Sequence, residues 1–220
     1  MDSHRLHRRI ALLVPLALAF GALSASGQRL QPGGRRGGEQ EERPERIIRV
    51  RSLEGLGSRA NVRTPEFDAR TNITRGTKPQ QDWVRIRLEY DTYPDWIDEL
   101  TMRFHALALT TEDRRRSYSL YTKTVRYGDI EQGRSHYATA FLLPVAVKRF
   151  GDVVAVAVEV VYEGEVIAAE TDTSIDMPER WWENKTVTES EGVTPRSGYL
   201  LNRQESPFAL INIDDHEVIK

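Results

Sequence analysis

Three histidines lie beyond residue 27, His105, His136 and His216, and imidazoles are the side chains best suited to moving protons near neutral pH or to holding a transition metal. None of them belongs to a His-x-x-x-His pair, and no acidic residue stands at ligand spacing from one. His105 and His136 fall on different predicted strands and would meet only across a sheet, so each reads first as an ordinary strand residue. Asp172 with Asp176, and the pair Asp214-Asp215, offer the oxygens that Ca²⁺ prefers. They lack the spacing of an EF-hand loop and read as solvated turns. The nucleophile-elbow pattern Gly-x-Ser-x-Gly is absent, and nothing marks one serine as activated. With no cysteine, a thiol nucleophile, a Cys-ligated zinc, an iron–sulfur cluster and a disulfide framework are all excluded. The sequence therefore assigns no catalytic residue, no metal site and no cofactor, and it reads as a non-enzymatic chain.

Side chains suited to binding are easier to find. Trp181 and Trp182 stand side by side within Pro178–Glu183, and Phe208 and Leu210 sit in an apolar stretch close to the end of the sequence. Large amphipathic rings anchor protein interfaces and stack on sugar rings, so these four are the expected partner-binding residues. The alternatives are that a tryptophan plugs one end of the fold and that the terminal segment docks on its own domain. Arg114-Arg115-Arg116 offers a basic spot for an acidic partner or a phosphate, and equally suits a charged hairpin tip. Overall charge gives no wider hint: 31 basic against 33 acidic residues leave a formal −2, unlike the concentrated positive surplus of a dedicated nucleic-acid binder.

The elements that must position these residues begin after two segments of another kind. His4, Arg5, His7, Arg8 and Arg9 precede an apolar run from Ile10 to Leu23, followed by Ser24-Ala25-Ser26-Gly27. That is the order of a secretory signal peptide over residues 1–27. The run would span roughly 21 Å as a helix, short of the ~30 Å hydrocarbon core, so stable membrane insertion after cleavage is not expected. Residues 28–46 are Gly, Arg, Glu, Gln and Pro with one leucine, and read as a disordered flexible linker.

From there strand signals dominate. Residues 47–82 hold a short strand, with Ile48 and Val50 on one face, and then an irregular segment with Gly55, Gly57, Pro65, Gly76 and Pro79. Val84, Ile86, Leu88 and Tyr90 alternate with Arg85, Arg87 and Glu89, the period of a sheet with one buried face. Thr92–Asp95 interrupts it. Leu100, Met102, Phe104, Ala106 and Ala108 then share the face of a second strand; Tyr118, Leu120, Thr122 and Thr124 that of a third; His136, Ala138, Ala140 and Leu142 that of a fourth. A turn over residues 128–133 separates the last two. Val153–Tyr162 is nearly all apolar, as in a strand covered on both faces, and Glu163-Gly164 makes a tight connection to an antiparallel partner. Seven strands without intervening helices predict an all-β chain whose residues 83–180 form an immunoglobulin/fibronectin-like β-sandwich. A small barrel is the alternative. Residues 181–220 read as an extended C-terminal segment, partly docked.

Three stretches carry a family likeness: Tyr93–Leu100 (YPDWIDEL), Pro178–Glu183 (PERWWE), and Leu200–Arg203 followed by Ser206–Ala209 (LLNR, SPFA). Over Trp83 to Lys220 the chain resembles the Akkermansia-like, small secreted immunoglobulin-like proteins encoded with type IV pilus genes in Verrucomicrobia. After the Pro-Phe pair that family continues with further aromatics, whereas here Leu210-Ile211-Asn212-Ile213 follow. The resemblance implies an exported interaction or structural protein of the bacterial envelope, in the periplasm or at the cell surface. Its partners would be envelope or pilus proteins, and no nucleic acid. A carbohydrate-binding module using Trp181 and Trp182 is the second reading.

Overall fold

The computed structural model describes residues 46–65, 80–112, 115–211 and 217–220. The signal peptide expected over 1–27, nearly all of the linker, part of the irregular segment before Trp83, and Arg114, Asp214, Asp215 and His216 lie outside the described residues. Between them the described residues form β1 (Ile48–Glu54), β2 (Asn61–Arg63), β3 (Asp82–Glu112), β4 (Arg115–Leu142), α1 (Pro144–Phe150), β5 (Asp152–Tyr162) and β6 (Glu165–Thr173). After these come α2 (Lys185–Thr188), β7 (Val193–Pro195), β8 (Leu200–Asn202) and β9 (Val218–Ile219).

The fold is the all-β one that the alternation predicts, with one correction to how its strands are joined. The predicted strands on either side of Thr92–Asp95 are a single strand, β3, 31 residues long, and those on either side of residues 128–133 are also one, β4, of 28 residues. What the turn-forming residues produce is a bend rather than a chain reversal. The β3–β4 ladder runs from Val84↔Leu142 to Glu112↔Arg115, with register slips between Tyr90 and Thr92 and between Thr92 and Trp96. On β4 the bend uses positive φ at Asp129 (55°) and Ser135 (62°). Extra residues in one strand raise local twist and turn the sheet without ending the pairing.

Because both long strands bend together, the sheet forks into two layers. Before the bend β3 carries β1 and β2 on its other side, Ile48 opposite Thr92 and Asn61 opposite Val84. After it β3 carries β5, Thr101 opposite Val161, and β5 carries β6. The inner faces meet in one core: Val84, Ile86, Leu88 and Tyr90 from the first layer pack with Leu100, Met102, Phe104, Val156, Val158 and Val160 from the second. Each such side chain stabilises by roughly 1.5–3 kcal/mol when fully buried. The layers approach closely enough at Gly55 that a Cβ there would lie 2.6 Å from Val156 Cγ2.

Two connections follow the sequence closely. Glu163 (φ 50°) and Gly164 (φ 87°) make the tight β5–β6 turn, both in the left-handed region that a primed two-residue hairpin requires. Pro144 stops β4 and starts α1, whose Ala146 and Phe150 are buried.

The bend is held by buried polar groups standing in for the interrupted ladder. Thr92 Oγ1 donates to Glu131 O (2.8 Å) and accepts from Gly133 N–H (2.8 Å), while Asp91 Oδ1 accepts from Arg51 Nε (2.6 Å) and Ser135 N–H (3.1 Å). Thr92 is only 4% exposed. Replacing it with the near-isosteric valine removes the partner of the part-buried Glu131 carbonyl and Gly133 N–H, so Thr92→Val should lower the unfolding free energy by about 1 kcal/mol in urea denaturation. Thr122→Val, at an exposed position of β4, serves as the control and should change stability by no more than about 0.5 kcal/mol. Equal effects at the two positions would show that the bend does not depend on the hydroxyl.

Candidate functional site

β5 is covered on both faces, as its composition predicts. Val156, Val158 and Val160 enter the main core, while Ala155 and Ala157 face outward with Leu107 of β3 and are roofed by a second apolar cluster. The roof is Trp181 and Trp182, supported by Ile175, Met177, Val187 and Val193. Trp181 is 0% and Trp182 8% exposed, with their rings edge to face at 5.9 Å. Both point inward because residues 180–184 form a turn, with Glu183 N–H donating to Arg180 O (3.1 Å), and not a strand, on which neighbours would alternate. Trp181 Nε1 donates to Thr171 Oγ1 of β6 (3.1 Å). As expected partner-binding residues the tryptophans are thus corrected: they are core, inaccessible to a glycan or a protein.

A charged cluster lies beside them. Glu159 of β5, 5% exposed, faces His105 Nε2 at 3.4 Å, Arg103 Nη1 at 3.9 Å and Arg180 Nη2 at 3.9 Å. Arg180 also pairs with Glu183. The His105 ring stacks on Trp182 with centroids 6.2 Å apart and planes 27° from parallel. Burial lowers the His105 pKa below its ordinary 6.5, against the opposing pull of Glu159. The hydrogen bond and charge of Arg180 hold the Glu183 carboxyl below the usual range. His105 and His136 do not meet: His136 Nδ1 pairs with Glu217 and its Nε2 lies 3.1 Å from Thr92 Oγ1. Among the described residues no group of three acidic or imidazole side chains could hold a metal ion. The His105–Glu159 pair is a brace between β3, β5 and the tryptophan turn.

The C-terminal segment docks on its own domain. β7 pairs parallel with Tyr118–Leu120, β8 antiparallel with Ala140–Leu142, and β9 with Tyr127 and Gly128, all along β4. Phe208 stacks on Phe141 (4.5 Å, 14°) and meets Trp83 edge to face (5.7 Å). Leu210 remains 70% exposed and Ile211 41%. Along β4 the pairing is filled, whereas β1 and β2 are joined only to β3 and β6 only to β5, and of these three β6 carries exposed large apolar residues, Val166 and Ile167 at 42% and 38%. Sequence reasoning passed over these two, and also Trp96 (60% exposed) and Tyr93 (39%), which sit at the β3 bend. The available signal was the Tyr-Pro-Asp-Trp motif itself, which put two aromatics into an interruption of the period-2 pattern.

A protein-family model matches residues 55–220. The crystal structure of a protein from Akkermansia muciniphila is similar at 26% identity and a TM-score of 0.63, over 79% of this chain and 94% of that one. No curated protein sequence matches the chain significantly. Among the described residues no helix is long and apolar enough to cross a membrane.

The buried histidine makes stability depend on pH. Since folding lowers the His105 pKa, the unfolded chain binds the proton more readily, and stability falls as the pH drops through 6.5 towards the folded value. The thermal midpoint should fall between about pH 7 and pH 5, and His105→Gln should flatten that slope. The loss from Glu183, whose ordinary pKa is 4.5, belongs to a lower pH range. Identical slopes for wild type and variant in differential scanning calorimetry would remove His105 as the cause.

Proposed function

The chain belongs to the family whose model spans residues 55–220, and on that premise we propose that it is an exported, non-enzymatic interaction protein of the bacterial envelope. In this reading it is an accessory of type IV pilus or secretion machinery, placed in the periplasm or at the cell surface, and it holds its partner through the edge of β6. The observation that carries the reading is which one-sided strand exposes apolar side chains. The chain's own C-terminal strands fill the edge of β4, whereas β1, β2 and β6 each pair on one side only, and of these three β6 is the one with large apolar residues, Val166 and Ile167, in solvent. An edge with unpaired backbone groups accepts an extended segment of another chain, and exposed side chains along it supply selectivity.

The C-terminal segment keeps a smaller part. Phe208 is committed to Phe141 and Trp83, and Leu210 with Ile211 forms a compact apolar tip for a secondary contact. The carbohydrate alternative loses the ring pair it relied on, because Trp181 and Trp182 are buried; among the described residues the exposed rings are those of Tyr93 and Trp96.

Affinity capture from envelope extract with the full chain tests the assignment. A partner identified by mass spectrometry should be recovered with wild type and depleted at least about tenfold with Val166→Glu plus Ile167→Lys, the scale expected when charge is forced into an apolar contact. Equal recovery with both proteins would place the contact elsewhere. Retention on immobilised glycans that is lost in Trp96→Ala would replace this reading with the carbohydrate one.

A further inference from the structure

Where the far end of the β3–β4 hairpin meets α1 and the segment after β7, the surface encloses a cavity of about 770 Å³. Arg115 comes from β4, Arg149 from the last turn of α1, and Arg196 from the residue after β7. Thr110, Ser117 and Ser119 add hydroxyls, and Phe150 forms the apolar wall. Among the described residues no carboxylate lines the cavity, and none of the three arginines makes an ion pair. In a chain with more acidic than basic residues, three guanidinium groups gathered into one concavity repel one another, and an anion seated between them relieves that repulsion.

The arginines are also held in position. Arg196 lies over the Phe150 ring at 3.6 Å, and its Nε donates to Ser119 Oγ at 2.8 Å, which fixes the plane of the guanidinium. Arg149 approaches the same ring at 5.1 Å. A guanidinium stacked on an aromatic face keeps its in-plane N–H groups available, and the planar fork matches the paired oxygens of a phosphate. The three come from positions 115, 149 and 196, so the cluster exists only in the folded chain. It includes Arg115 of the Arg114–Arg116 run, for which the sequence offered both a phosphate or acidic-partner spot and a charged hairpin tip.

We infer that this cavity binds a phosphate group through Arg115, Arg149 and Arg196, with the hydroxyls of Ser117 and Thr110 as further donors. Three cations favour a dianion over a single carboxylate. The volume falls within the range of small-molecule sites, roughly 300–1,000 Å³, and leaves room for the group that bears the phosphate. The shared chemistry is a phosphate monoester or free phosphate, and its source is either solution or an anionic headgroup of the envelope lipid.

Isothermal titration of the full chain with inorganic phosphate at fixed ionic strength reads the site directly. Saturable binding is expected, weakened at least about tenfold in Arg115→Gln plus Arg149→Gln, the scale of losing a charge-assisted hydrogen bond. Both residues are solvent-exposed, so that variant tests binding without the packing role of Arg196. Arg134→Gln, outside the cavity, should bind as wild type does. Sedimentation with vesicles of phosphatidylcholine containing phosphatidic acid, but not with phosphatidylcholine alone, would assign the phosphate to a lipid headgroup. Binding of phosphate without sedimentation would assign it to solution. No saturable phosphate binding, equal heats with acetate, or unchanged affinity in the double variant would overturn the inference.

Discussion

The structure depends on the bend that Asp91 and Thr92 hold in the β3–β4 pair. Two strands of 31 and 28 residues, left straight, would present one long apolar face to water. The bend turns that face on itself, so that Ile86, Leu88 and Tyr90 pack with Met102 and Phe104 of the same strand. Folding a sheet interrupts some ladder hydrogen bonds at the crease, and buried groups left unpaired there would cost about 1–3 kcal/mol each. The side chains of Asp91 and Thr92 accept from Ser135 and Gly133 across the crease, which lets the bend lie inside the protein. With no cysteine available, this hydrogen-bonded hinge and the apolar contact it permits replace a covalent link between layers.

Closing the inner core creates a second requirement on the outside. β5 is apolar on both faces, so Ala155, Ala157 and neighbouring Leu107 need a cover that the sheet cannot provide. The turn bearing Trp181 and Trp182 supplies it, and the buried Glu159 on the same face is satisfied by His105, Arg103 and Arg180 instead of water. A buried carboxylate without such partners would be strongly destabilising. The tryptophans therefore answer a demand set by β5, and the chain beyond them, already drawn across the outer face, continues along β4 as β7, β8 and β9.

Much of this was legible in the residues. The alternation of Val84, Ile86, Leu88 and Tyr90, the two-sided apolar run of β5, and the positive-φ turn at Glu163-Gly164 each follow from local rules of period and backbone sterics. The breaks were harder, because Pro94, Gly128 and Gly133 signal an interruption in either case, and only the partner strand decides between reversal and bend. The tryptophan pair was misplaced for a similar reason: aromatic side chains announce that they will be buried against something, but not against what. His105 and Glu159 lie 54 positions apart, and the partners Ser119 and Arg196 lie 77 apart, so neither pair leaves a spacing motif.

The sheet edges show two ways in which such a fold manages strands that lack a second neighbour. An unpaired edge invites another strand, and a chain that must remain soluble either fills it or guards it. Along β4 the chain fills the edge with its own residues, in three short pieces that follow the bend better than one long strand could. Along β6 it uses charge: Glu165, Glu170 and Asp172 share the strand with Val166 and Ile167. In an in-register antiparallel pair of two β6 copies Asp172 would face Val166 and Glu170 would face Ala168, so charge would be set against apolar side chains, which disfavours self-association. Charge along β6 thus guards an edge that the chain does not fill.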